Sequence, residues 1–308
     1  MKNENRQPSL DYYQEPEGIT RIEKHLDFIR WLTNDIRAIC QVVQGILVHD
    51  NWLHHYGISL MPEQIYDQNS TYMEDLLDKA VELDNRSLAI ARSPEKRVIG
   101  CCREFATLFC AILRHKGIPA RSRCGFATYF AHPGYYEDHW LCEYWDSDEE
   151  RWVSVDPQLD PFQQSLIAAD FSPLDVPDSR FLAAGQAWKQ CRAQERDPER
   201  FGIACPPEQF GLSTLYGLWF VRGNLLRDFA ALNKVETVPF LMRLDKGLTW
   251  DAWRLVAAKE EEVSKSEYAL LDTIAALSLD PDRSFREIRS LYTSQKELQP
   301  PEIILSNC

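Results

Sequence analysis

No stretch of the 308 residues approaches the roughly 18 uninterrupted apolar positions of a membrane-spanning helix, so no span is expected. Met1 to Tyr13 is polar, and no secretory signal is read there. Lys/Arg clusters longer than a few residues are missing too. With a net charge of −13 and a pI near 5.1, that argues against nucleic acid and anionic membrane surfaces as partners. There is no Gly-x-x-x-x-Gly-Lys-[Ser/Thr] phosphate loop and no convincing Gly-x-Gly-x-x-Gly, and no cofactor is expected. No Cys-x-x-Cys pair occurs. A zinc site drawn from Cys101, Cys102, His139 and Cys142 would therefore rest on one weak His-x-x-Cys spacing, and no metal is expected. Internal repeats and low-complexity tracts are absent as well.

What is present suits a folded protein. Hydrophobic residues make up 44% and charged residues 26%, enough for a substantial core and too balanced for disorder. Nine cysteines is an odd count at irregular spacing, with Cys110, Cys124 and Cys142 inside apolar segments. That pattern suits thiols in a reducing compartment, and the expected location is the cytoplasm.

Along the chain, residues 1–18 read as a loose polar arm. Ile22, Leu26, Ile29, Leu32, Ile36, Ile39, Val43 and Ile46 recur every three or four positions, which predicts one long helix or two joined ones over 19–53. Tyr72 to Ala91 repeats the pattern after a loop containing Pro62 and Asn69-Ser70. Cys102 to Lys116 is apolar or small on most sides, so its helix should be buried centrally. Gly117 and Pro119 supply its stop. Ala120 to Phe130 reads as a strand. His139–Trp145 and Arg151–Val155 read as a hairpin around the polar Asp146 to Glu150. Helices follow after Pro161, over Ala183–Glu195, Leu212–Leu232, Thr249–Ala258, Glu267–Leu279 and Phe285–Tyr292. Three regions are expected: a helical 1–95, a core at 96–165, and a mostly helical 166–308.

Three residues carry chemistry. Cys102 stands at a helix start, where the helix dipole favours thiolate over thiol. His139 and Asp156 stand at the ends of the two hairpin strands. If Trp145 pairs with Glu150, His139 faces Asp156 directly, on one side of the sheet. Together they read as a Cys-His-Asp nucleophilic centre: Cys102 attacks, His139 transfers protons, and Asp156 orients the imidazole. Taken singly, each has a plainer reading, as a buried thiol, a strand-end histidine and a turn aspartate. Cys101 competes with Cys102 as nucleophile but would project about 100° away around the helix. His54-His55 read as surface histidines, and Lys259 to Glu262 as a solvated face. Trp52, Trp140 and Arg222 are candidates for lining the cleft and touching substrate, although the Leu212–Leu232 helix also reads as core plus a solvated face.

Gly100-Cys101-Cys102-Arg103-Glu104-Phe105-Ala106 resembles the Gly-x-Cys-Arg-[Asp/Glu]-[Phe/Tyr]-Ala nucleophile motif of the transglutaminase-like superfamily. Leu113-Arg114 through Gly117 to Arg121, His139 to Glu143, and Trp152 to Pro157 resemble that family's helix–strand junction, histidine segment and final strand. The resemblance covers about residues 97–160 and selects Cys102 over Cys101. It implies an α+β, papain-like core: a Cys-bearing helix packed on a small antiparallel sheet, here with extra helices at both ends. It also implies a cysteine-dependent hydrolase or acyltransferase acting through a Cys102 thioester on a peptide, protein or small amide or amine substrate. A non-catalytic scaffold that kept the fold is the alternative. Trp140 and Leu141 directly after His139, and Gln158 after Asp156-Pro157, depart from the family pattern beside the triad and bear on substrate preference. No calcium-loop pattern is present, so calcium dependence is not expected.

Overall fold

The structure, a computed structural model, describes residues 8–59, 72–205, 207, 213–237 and 253–302. The architecture is α+β, and the chain divides into two compact units. One comprises Met1–Ser122 with Leu141–Val176, the other Arg123–Trp140 with Pro177–Ser306.

The first unit is assembled around one helix. Helices α1 (Pro8–Gln14), α2 (Leu26–Trp31), α3 (Ile36–Ile46) and α4 (Met73–Leu83) precede it, and strands β1 (Leu47–His49) and β2 (Val98–Gly100) pair in parallel beside it. Helix α5 spans Cys102–His115, and every residue from Cys102 to Arg114 is buried. Leu108, Phe109, Ile112 and Leu113 are wholly inaccessible. Each such side chain contributes roughly 1.5–3 kcal/mol on burial, so the sequence pattern alone places α5 at the centre. The helix ends in a Schellman turn. Gly117 takes φ 72°, its N–H donates to Arg114 O (2.9 Å), and Ile118 N–H donates to Leu113 O (2.9 Å).

The expected helix over 19–53 is broken twice. Asp35 begins α3 by accepting from Ala38 N–H at 2.7 Å, and the chain leaves helix at Leu47 for β1. Leu47 and Val48 continue the apolar spacing of α3, which hides the strand in the sequence. Nor are residues 8–14 a loose arm. They form α1, whose Tyr13 is fully buried, with its ring 5.8 Å from that of Trp152. The expected loop residues Pro62 and Asn69-Ser70 lie outside the described residues, as does Thr249.

Strands β3 (Ala120–Ala127), β4 (Tyr136–Asp146) and β5 (Arg151–Val155) and helix α6 (Pro161–Leu166) follow α5, with Arg123–Trp140 counted in the second unit. The hairpin forms as expected, but its register differs. Asp146 pairs with Arg151 and Cys142 with Val155, one residue further along each strand than the pairing of Trp145 with Glu150 requires. The Asp146 carboxylate explains this. It accepts from Asp148 N–H (2.8 Å) and Glu149 N–H (3.1 Å), so Asp146 closes the ladder, and Glu150 turns the chain with φ 51°. The observed ladder therefore removes the register argument for setting His139 opposite Asp156. Arg121 locks this end of the unit: its Nε donates to Glu143 Oε2 at 2.6 Å, and its guanidinium lies 3.9 Å from the Trp152 ring centroid.

In the second unit, β6 (Phe181–Ala183) pairs antiparallel with β3, and β7 (Phe201–Gly202) pairs parallel with β4. Helices α7 (Ala184–Arg192), α8 (Leu218–Ala231), α9 (Arg254–Ala257), α10 (Lys265–Leu277) and α11 (Phe285–Ser294) make up the rest. Helix α8 lacks the solvated face read from its charges: Phe220 to Ala231 are all buried. Its polar groups are paired inside. Asp228 accepts from Arg123 Nε and Nη2 (both 2.9 Å) and from Cys124 N–H (3.0 Å). Asn224 Nδ2 donates to Gly125 O (3.0 Å) and Asp138 Oδ1 (2.7 Å).

Candidate active site

The Gly100–Glu104 segment is held by contacts that explain its residue types. Cys101 is the N-cap of α5, with extended backbone, and Cys102 is the first helical residue. Glu104 turns back so that its Oε2 accepts from Cys101 N–H at 2.8 Å, while Arg103 Nη1 donates to Oε1 at 3.3 Å. Both side chains are buried. The returning carboxylate passes over Gly100, where a Cβ would stand 3.0 Å from Glu104 Cβ and 3.2 Å from Cγ. Glycine at 100 and glutamate at 104 thus form one device that fixes the thiol's backbone.

Two sulfurs lie together at the helix start, and both are nearly buried. A hydrogen bond to Cys102, then burial and the nearby Glu104 and Asp50 charges, hold the Cys101 thiol well above its ordinary pKa.

A third group meets Cys102 from β1. His49 pairs in register with Gly100, two residues before the thiol. Strand alternation assigns the two faces of the β1–β2 pair: Leu47 and Val98 join the core around α5, whereas Val48 and Ile99 join a separate cluster with Leu53 and Ile58. His49 shares the α5 face with Leu47. Its ring stacks on Phe105 at a centroid distance of 6.4 Å and is hydrogen-bonded to the Cys102 side chain. On its other side, Nδ1 lies 2.8 Å from Asp50 Oδ1. Asn51 N–H reaches Asp50 Oδ1 at 2.7 Å and His49 Nδ1 at 3.2 Å. Asp50 and the Asn51 amide thus both meet the Nδ1 side of the ring. Burial pulls the imidazole's pKa down, but Asp50 and Cys102 together outweigh it and push it up to about 9. In the sequence His49 falls at the end of an apparent helix, which hides it. The adjacent His-Asp pair was the one available signal.

The remaining candidates separate by unit. Asp156 belongs with Cys102 in the first unit. It is fully buried, its N–H donates to Pro173 O (2.8 Å), and its Oδ1 accepts from Gln158 N–H (2.9 Å). His139 belongs to the second unit, buried on β4, with ring centroids of Phe130 at 5.0 Å and Tyr129 at 5.8 Å. Trp52 is half-buried in the 3-10 turn after His49, its ring 5.1 Å from that of His55. Trp140 is fully buried on β4. Arg222 is wholly inaccessible, and its guanidinium is committed to Leu255 O (2.8 Å), Ala258 O and Glu260 (2.6 Å), because α8 is enclosed on all sides. Among the described residues, no three His, Cys, Asp or Glu side chains are grouped as a metal site. A cavity of about 420 Å³ lies against Val48 and Ile99, bordered by Arg97 and Glu95, on the face of the β1–β2 pair opposite His49.

Residues 64–157 match the family model of the Transglutaminase-like superfamily, so this segment, which contains the Cys102 helix and the hairpin, is a transglutaminase-like core. No curated protein matches the chain. Two solved structures are similar. One is called "Putative Cysteine Protease from Cytophaga hutchinsonii" (16% identity, TM-score 0.33), and the match covers 50% of this chain and 43% of that one. The other is the periplasmic domain of TgpA from Pseudomonas aeruginosa (20% identity, TM-score 0.31), with 54% of each chain covered. The chain thus spans about half the length of these proteins or less, and such loose superpositions leave the chemistry undecided.

Proposed function

We infer that this protein is a cysteine-dependent acyl-transfer enzyme whose nucleophile is Cys102. The observation that carries the reading is the placement of Cys102. It opens a buried helix, and the Glu104 carboxylate pins the backbone just before it by accepting from Cys101 N–H. In the proposed cycle, His139 takes the Cys102 proton and the sulfur attacks an amide or ester carbonyl. A C–S bond forms, and the carbonyl π pair moves onto oxygen. The tetrahedral species collapses, the C–N or C–O bond breaks, and the leaving amine or alcohol takes the proton from His139. Water or an amine then attacks the thioester, gives its proton to His139, and releases the Cys102 thiolate. Asp156 orients His139 through the cycle.

Water as acceptor gives a hydrolase, and an amine gives an acyltransferase. The substrate is a peptide, a protein or a small amide. Eight cysteines lie among the described residues, and no described helix is long and apolar enough to cross a membrane. Cysteines in this number and at this irregular spacing suit a reducing compartment, and we place the protein in the cytoplasm.

The test is iodoacetamide labelling at pH 6, read by peptide mass spectrometry, followed by trapping with amide and ester panels. Cys102 should label at least ~10-fold faster than the other thiols and carry the acyl adduct, and Cys102→Ala should abolish both. A Cys102 no faster than an ordinary thiol refutes the reading.

A further inference from the structure

We propose that His49, held by Asp50, is a second catalytic imidazole at this centre: a fixed cation that binds the Cys102 sulfur as thiolate. The inference rests on Cys102 being the nucleophile and adds a partner that the motif does not contain.

Three geometric facts converge on it. The parallel register sets His49 beside Gly100, and strand alternation turns its side chain toward α5. Stacking on Phe105, one turn after the thiol, fixes the plane of the ring. The imidazole is hydrogen-bonded to the Cys102 side chain, and its Nδ1 lies 2.8 Å from Asp50 Oδ1. The charged and titratable groups around the imidazole are Asp50 on its own segment and Cys102 on α5, with Cys101 and Glu104 behind the sulfur. Asp50 also accepts from Asn51 N–H, so its carboxylate is positioned by the same turn that ends β1.

This arrangement divides the labour. A proton-transferring imidazole works best with a pKa near ambient pH. His49, pushed up to about 9, holds its proton too firmly to shuttle it at neutral pH but is well suited to supplying a permanent positive charge. No bond to His49 is made or broken in the cycle: the thiol proton passes to His139 and then to the leaving group. His49 lowers the cost of the thiolate before attack and of its regeneration at the end. An adjacent opposite charge moves a thiol's pKa by about 1–3 units, so the expected effect is roughly a 10- to 1000-fold change in thiolate population below that pKa.

The experiment is the pH–rate profile of Cys102 alkylation by iodoacetamide in the full chain, in the wild type, His49→Gln and Asp50→Asn. His49→Gln should move the midpoint up by about one unit or more and slow labelling at pH 6 by ~10-fold or more. Asp50→Asn should shift it the same way, by less. If both variants fold and label Cys102 with the wild-type profile, the His49 role is overturned while the nucleophile assignment stands. If wild-type Cys102 labels like an ordinary thiol, both readings fall. A measurement on the wild type covers the case of a misfolded variant. In ¹⁵N-histidine NMR, His49 should carry protons on both nitrogens at pH 7.5, and its titration should move down after Cys102 is alkylated. A neutral His49 at that pH overturns the inference.

Discussion

The His49–Asp50 pair should make the stability of the first unit depend on alkaline pH. The perturbation is a rise in pH, compared between wild type and Asp50→Asn. In the unfolded chain the imidazole titrates near its ordinary value of 6.5, and in the folded protein near 9. Between those values the native state holds a proton that the unfolded state has released. Stability should therefore fall by about 1.4 kcal/mol per pH unit through that window. The contribution is fully present below 6.5 and lost as pH passes 9. Its whole size is roughly 3 kcal/mol, an order-of-magnitude figure for a buried group. The side chains of His49 and Asp50 are only 9% and 18% exposed, so solvent screening does not cancel it. In Asp50→Asn the stabilising charge is gone and burial dominates, so the imidazole should titrate well below 9 and the decline should flatten. The assay is urea unfolding from pH 6 to 10, fitting the transition that contains the first unit and subtracting mutant from wild type so that other groups cancel. Equal slopes for the two proteins above pH 7 would refute the electrostatic account of His49.

Three further outcomes follow from particular contacts. Gly100→Ala should destabilise by about 1–3 kcal/mol, because the added Cβ meets a Glu104 side chain held by Cys101 and Arg103; an unchanged thermal midpoint contradicts that. Asp228→Ala strands the buried Arg123 and Cys124 N–H and should cost about 3–5 kcal/mol in urea unfolding of the second unit. Asp228→Asn keeps an acceptor and should cost less. Cys101→Ala should leave iodoacetamide labelling on Cys102 when the adduct is located by mass spectrometry, and loss of the label with Cys101 would reverse the assignment of the two sulfurs.

The legible parts of this protein are those encoded by near neighbours in the chain. Helix α5 could be placed from its apolar density, its start from the Cys-Cys-Arg-Glu segment, and its end from Gly117, because capping and stop signals act within a few residues. The hairpin was legible for the same reason. Its register was not, since a single carboxylate, Asp146, chose where the ladder closes. The polar side of α8 looked solvated because a sequence shows that Asn224, Arg222 and Asp228 are polar but not that partners wait inside.

The sequence alone determined the buried helix, through local chemistry and spacing, and its resemblance to the transglutaminase-like superfamily implied the α+β class and pointed to Cys102. Only the tertiary structure decided what surrounds that sulfur. Strand β1 is three residues long and follows a helix without a break in the apolar pattern, so it exists only by pairing with β2, some fifty residues away. That pairing, a long-range event with no local signature, is what carries His49 and Asp50 to Cys102.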